Sequence, residues 1–193
     1  MKKLGFNLAV IILTVGMLAA PYRSFSQDFS NEKKITKKEQ KEARKAELYQ
    51  NFKAIDTLLQ NKTFVLEAEF LQGRYGSQVP VSSNINFIRV HSPSVVLQTG
   101  TNNYVGTGYN GLGGITAEGS LNNYKVTSDK KHMNHTVWFS TTTQVGTYDV
   151  LLRISANASA TATITGLSRG SITYRGNLVA PYNSRVYKGR NSL

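Results

Sequence analysis

The chain has 193 residues, 40% of them hydrophobic and 18% charged, which are globular rather than disordered values. The absence of cysteine excludes a disulfide framework, a thiolate metal site, a cysteine nucleophile and lipid attachment at a lipoprotein-type cleavage site. The formal charge of +12 is spread along the chain with no recognition helix, zinc finger or aromatic–basic RNA-binding signature, so nucleic acid is not an expected partner.

Residues 1–26 carry the pattern of a signal peptide. Lys2 and Lys3 form a charged head, and Leu8–Ala20 an apolar core. That core falls short of the ~20 residues a membrane-spanning helix needs. Ser24 and Ser26 then supply small residues at the minus-three and minus-one places before Gln27. Cleavage after Ser26 is expected, leaving a periplasmic or secreted protein with no transmembrane anchor. Loss of Lys2, Lys3 and Arg23 leaves 20 basic against 11 acidic residues, a mature charge of +9. Such a charge suits an anionic surface or an envelope partner.

Residues 27–47 read as a charged helical arm, since only Ile35, Ala43 and Ala46 interrupt the polar run from Asn31 to Glu47. Beyond it Leu48, Phe52, Ile55 and Leu59 recur at four, three and four, one apolar stripe with Tyr49 and Leu58 beside it. That spacing predicts an amphipathic helix packed on a sheet or across a barrel mouth. Asn61-Lys62 ends the pattern, and residues 48–181 read as one β domain with this leading helix.

From Phe64 the period changes to two. Phe64, Leu66, Ala68 and Phe70 alternate with Val65, Glu67, Glu69 and Leu71. Glu67 and Glu69 on one strand face read as solubilising charges rather than an acid–base pair. Residues 72–83 carry Gly73, Gly76 and Pro80 and read as a turn-rich connection. Strands follow from Ile85 to Val90 and from Val95 to Thr99, with Pro93 marking a strand start or an edge.

The stretch Gly100–Gly114 holds six Gly, three Asn and two Tyr. It lacks the Gly-Lys-Ser/Thr ending and the helix start of a nucleotide loop. A long aromatic crossing between strands is a place for binding function. Tyr104, Tyr109 and the lone tryptophan, Trp138, are the candidate ligand-binding residues, at a mouth rimmed by this loop.

Ile115–Leu121 and Tyr124–Thr127 read as two short strands before a charged turn at Asp129-Lys130-Lys131. In Met133–Thr143, His135, Val137 and Phe139 share one side and Thr136, Trp138 and Ser140 the other. A large aromatic on each side predicts a strand that is central or covered on both faces. His132 and His135 face opposite ways, so no metal is expected from them.

Tyr148, Val150, Leu152 and Ile154 then alternate with Asp149 and Arg153; a turn at residues 156–159 precedes Ala160, Ala162 and Ile164. This predicts a central antiparallel hairpin, one strand bulky and one small. Ile172, Tyr174 and Leu178 predict a last strand broken at Gly176-Asn177, and residues 182–193 a loose basic tail.

Short strands, polar turns and no βαβ spacing predict a mainly β protein: a single antiparallel β-barrel or β-sandwich domain of about 8–9 strands with one N-terminal amphipathic helix. The segments LYQNFKAIDTLLQNKTFVLEAEF and SITYRGNLVAP, with the Gly/Tyr loop between them, resemble domain-of-unknown-function family 4251, exported proteins of Bacteroidota. The resemblance implies a mostly β envelope protein and supplies no activity, substrate, cofactor or catalytic residue.

No Gly-x-Ser-x-Gly elbow or His-Glu-x-x-His motif is present, so an enzyme is not expected. The favoured expectation is a non-enzymatic binding module for a small apolar or glycan ligand. An envelope assembly or interaction protein using the basic arm is the alternative. A hydrolase built on Glu67, Glu69 and scattered histidines comes last.

Overall fold

A computed structural model describes residues 26–73, 75–100, 114–167 and 170–189, with side-chain surroundings in the leading helix described from residue 36. Residues 1–25 of the expected signal peptide 1–26, with Tyr104 and Tyr109, lie outside the described residues. The first element is helix α1, Ser26–Gln60. Of the described residues, 26–40 belong to one unit and those from Lys41 onward to a second.

Within the second unit α1 buries the face its spacing predicts. Phe52, Ile55 and Leu59 are sealed in, while Leu48 is half-buried and Tyr49 exposed beneath the Lys53 ammonium. The helix ends where Lys62 takes a left-handed φ of 51°. Asn61 N–H then donates to the Thr57 carbonyl and Lys62 N–H to that of Leu59. A third donor, the Tyr124 hydroxyl, reaches the Leu59 carbonyl at 2.8 Å, so the last turn ends with its acceptor doubly used.

Nine strands follow: β1 Thr63–Gln72, β2 Gln78–Pro80, β3 Phe87–His91, β4 Ser94–Thr99, β5 Ile115–Asp129, β6 Asn134–Thr143, β7 Gly146–Ser155, β8 Ser159–Leu167 and β9 Gly170–Val179. All pairings are antiparallel, and the order is β2-β1-β3-β4-β5-β6-β7-β8-β9 with β9 returning to β1. Eight strands therefore close a barrel, and β2 is an extra strip on the far half of β1. The alternative of a sandwich is resolved in favour of the barrel.

The interior is the alternating set. Phe64, Leu66, Val90, Val95, Val137, Phe139, Val150, Leu152, Ile154, Ala162 and Ile164 pack into one cluster with Ile55 and Leu59 of the helix. Each large side chain so buried contributes about 1.5–3 kcal/mol relative to exposure. The β7–β8 hairpin has the predicted faces: Tyr148, Val150, Leu152 and Ile154 inward, Asp149 and Arg153 outward.

Four expectations are corrected. A register shift between Ala68 and Phe70 turns Phe70 outward and aligns Leu71 with the inward Tyr174. The two strands predicted over 115–127 are one fifteen-residue strand, kinked by a bulge at Asn122–Lys125 where Asn123 has a φ of 53°. Gly176 does not break the last strand; it pairs with Ala68 where β9 lies against the β1 backbone with no room for a β-carbon. The connection over 72–83 contains β2, three residues that alone carry no readable period.

A fifth correction concerns the tail. Gln98 lies on the outer side of β4, yet it is fully buried. Its amide nitrogen donates to the carbonyls of Ile85 and Tyr187, and its amide oxygen accepts from Thr116 Oγ1 and Gly189 N–H. Ser184 Oγ and Arg185 N–H both donate to Glu67, and the Lys188 ammonium pairs with Glu118. Residues 184–189 are thus a strap on the barrel's outside, covering a small apolar cluster of Val65, Phe87 and Val96.

Candidate functional site

The barrel has two different ends. At one, α1 meets β5 through Tyr124 and Ser128 and β6 through His135. At the other, β4 leaves through Thr99 and β5 begins at Ile115, so the Gly-rich crossing starts and finishes on that rim.

Inside this second mouth lies a cavity of about 170 Å³, lined by Leu97, Thr99, Ile115, Ala117, Tyr148, Ile164, Ile172 and Tyr174. Five of the eight are aliphatic. The three hydroxyls are already committed to the protein. Tyr174 donates to the Gln98 carbonyl at 3.1 Å, Tyr148 donates to the Val145 carbonyl at 3.3 Å, and Thr99 accepts from the Ile115 N–H. Complete burial pushes the Tyr174 phenol well above its ordinary range, so it stays protonated. Among the described residues the mouth is therefore a mostly greasy recess, each of its three hydroxyls already holding one bond to the protein. An engineered apolar cavity of about 150 Å³ is enough to hold benzene.

Of the expected ligand residues, Tyr104 and Tyr109 lie outside the described residues. Trp138 stands on the outer wall, 40% exposed, paired across the sheet with Lys125 and Leu151. It does not line the mouth, and its face of β6 is open rather than covered.

The helix-capped end holds a polar group that no motif announces. His135 is wholly buried, its ring stacked on Phe52 with centroids 4.2 Å apart. Its Nε2 lies 3.2 Å from the Phe52 carbonyl, which assigns the proton of the neutral ring to that nitrogen. Its Nδ1 lies 2.9 Å from Ser128 Oγ, and the same hydroxyl is 2.9 Å from Asp56 Oδ1. In a nucleophilic triad the imidazole stands between hydroxyl and carboxylate. Here hydroxyl and carboxylate sit on the same ring nitrogen, Asp56 Oδ1 lying 3.5 Å from Nδ1, and the far nitrogen is occupied by backbone. This geometry fastens a helix to a sheet.

Burial holds the His135 pKa below its ordinary value, with the Phe52 carbonyl and Asp56 opposing that only in part. The unfolded chain therefore binds a proton here at a higher pH than the folded one, and stability falls as pH drops below about 6.5. One proton limits the slope to about 1.4 kcal/mol per pH unit. Urea midpoints measured between pH 7.5 and 5.5 should fall with pH in the parent and stay nearly level in His135→Gln. Equal slopes in both would show that another group is responsible.

The other candidates are scattered. Glu67 is held by the strap, Glu69 by Asn177, and His91 is exposed at the end of β3. His132 lies 2.6 Å from Asp129 in the β5–β6 turn, and its hydrogen bond holds that carboxyl below the usual range. Among the described residues no group of three His, Asp or Glu could hold a metal ion, and no described helix is long and apolar enough to cross a membrane.

The model of a domain of unknown function, DUF4251, matches residues 46–178. The matched span covers the strand-packed part of α1 and the barrel almost to the end of β9. A crystal structure of a DUF4251 family protein from Bacteroides eggerthii is similar, with 29% identity and a TM-score of 0.57. The likeness covers 71% of this chain and 90% of that one. No curated protein matches.

Proposed function

The chain belongs to the DUF4251 family, and from that premise we propose that it is an exported, non-enzymatic binding barrel for one small apolar ligand or the apolar end of a longer one. The observation that carries this reading is the recess of about 170 Å³ whose every lining hydroxyl is already bonded. A sugar placed there would lose its hydrogen bonds to water and meet mostly aliphatic side chains in return, at a cost of about 1–3 kcal/mol for each stranded polar group. A hydrocarbon loses nothing. The wall supports an aqueous setting: Lys125, Thr127, Asp149, Arg153 and Arg175 face outward, where a membrane barrel carries an apolar band.

Titration calorimetry with a saturated series from hexanoate to hexadecanoate tests the reading. The parent should bind, with affinity rising with chain length and levelling off once the recess is full. Ala117→Phe, which puts a ring into the recess, should weaken binding at least tenfold while its melting temperature stays within a few degrees of the parent's. Failure of the whole series to bind, or unchanged affinity in Ala117→Phe, would count against a site in this mouth.

A further inference from the structure

We propose that the outer wall around Trp138 is a second, separate binding site, and that it takes an acidic polysaccharide. The site is built by register. On the outward face of four consecutive strands Thr127 pairs with Thr136, Thr136 with Arg153, and Arg153 with Thr161. One step along β6, Lys125, Trp138 and Leu151 form the parallel row. The first row borders a groove of about 520 Å³, lined also by Asp129, Asn134, Ser155 and Ser159 and floored by the buried His135 and Ile154; the Trp138 row lies beside this groove and not in its lining. Four strands at about 4.8 Å spacing give a run of about 15 Å, the proportions of an extended chain rather than a compact molecule.

The chemistry of the two rows is mixed in a particular way. Trp138, 40% exposed, presents its indole from the outward side of β6. The electron-rich face of an aromatic ring attracts the positive edge of C–H bonds, and a pyranose presents such a face. Thr127, Thr136 and Thr161 offer hydroxyls, which match the donor and acceptor pattern of a sugar rim. Among the described residues neither Lys125 nor Arg153 makes an ion pair, and Lys130 and Lys131 sit on the adjoining turn. Asp129, hydrogen-bonded by His132 and ionised, and Asp149, farther along β7, are the opposing charges against Lys125, Lys130, Lys131 and Arg153. The balance favours an anion. A planar guanidinium beside a stacking ring suits a carboxylate or sulfate carried on a sugar. An apolar protein partner would want a wider greasy area than one indole and one half-buried leucine provide.

Because the chain holds a single tryptophan, quenching or a blue shift on binding reports on this wall alone. Titration of the full chain with oligogalacturonate should change Trp138 emission, while a neutral dextran of matched length should bind at least tenfold more weakly. By calorimetry, Trp138→Ala should cost at least tenfold in oligogalacturonate affinity and Trp138→Phe much less. Arg153→Gln should weaken oligogalacturonate and leave dextran unchanged. Binding unaltered by Trp138→Ala would overturn the site. So would equal binding of duplex DNA or phosphatidylglycerol vesicles with the same sensitivity to the variants, since that pattern is bare electrostatic attraction. The mouth variant Ala117→Phe should leave oligogalacturonate binding untouched, so the two sites stand or fall separately.

Discussion

Replacing Gly176 by valine should abolish recovery of folded protein, and replacing it by alanine should lower the melting temperature by about 6–12 °C. At this position β9 crosses β1 so closely that a β-carbon would lie 1.9 Å from the Glu67 carbonyl oxygen and 2.9 Å from the Ala68 Cα. Both obstacles are backbone, so no rotamer change relieves them. The register sets Ala68 and Ala160 on either side of Gly176, and the three smallest residues share one pinch of the barrel. Overpacking of this kind typically costs ~1–3 kcal/mol, and a clash with unyielding strands belongs at or beyond the top of that range. For a domain of this size each kcal/mol moves the melting temperature by about 2–4 °C. Gly73, whose added β-carbon would meet nothing within 4 Å, supplies the control. Calorimetry of Gly176→Ala beside Gly73→Ala decides the matter: a shift under 2 °C in the former would mean that β1 and β9 can part without penalty.

The second large effect is expected at Gln98. Its amide makes four hydrogen bonds from a fully buried position, two of them to the strap. Leucine fills a similar volume but answers none of those partners. Each buried partner left without a bond costs about 1–3 kcal/mol, though the strap groups can escape by lifting into water. Gln98→Leu should therefore lose about 2–4 kcal/mol in total and free residues 184–189. Trypsin then gains Arg185 and Lys188, and the cut within the strap should accelerate at least tenfold over the parent. Identical cleavage kinetics would mean that the Glu67 and Glu118 contacts hold the strap unaided.

Much of the fold was legible because alternation survives any amount of distance between strands. The β7–β8 hairpin follows directly from Tyr148, Val150, Leu152 and Ile154, and the apolar stripe of α1 from Phe52, Ile55 and Leu59. Misreadings arise where one residue shifts the phase. The bulge after Ala68 inverts Phe70 and Leu71, and the one at Asn123 makes a single long strand look like two. Gly176 read as a break because a close crossing with a strand more than a hundred residues away leaves no mark in its neighbours. The strap is similar: its sequence is polar and weakly apolar, and its partners, Glu67, Gln98 and Glu118, all lie far upstream, Gln98 by 89 residues from Tyr187.

The candidate site was legible only in outline. Leu97, Ala117, Ile164 and Tyr174 all lie on inward-facing stripes, but a stripe does not reveal whether the space it faces is filled. That Ser128 and Asp56 would meet His135 depends on how the helix seats on the barrel, and strand periodicity has no information about it. Trp138 was singled out for its rarity, and alternation put it opposite His135, Val137 and Phe139. With those three turned inward, the indole had to face out.

On the reading that the mouth takes a ligand, the seating of α1 against β5 and β6 has a kinetic corollary. With Phe52, Ile55 and Leu59 stoppering the far end, a vessel with a single neck must empty before it refills. Replacement of one guest by another is then a first-order departure, and its half-time does not shorten however much competitor is added.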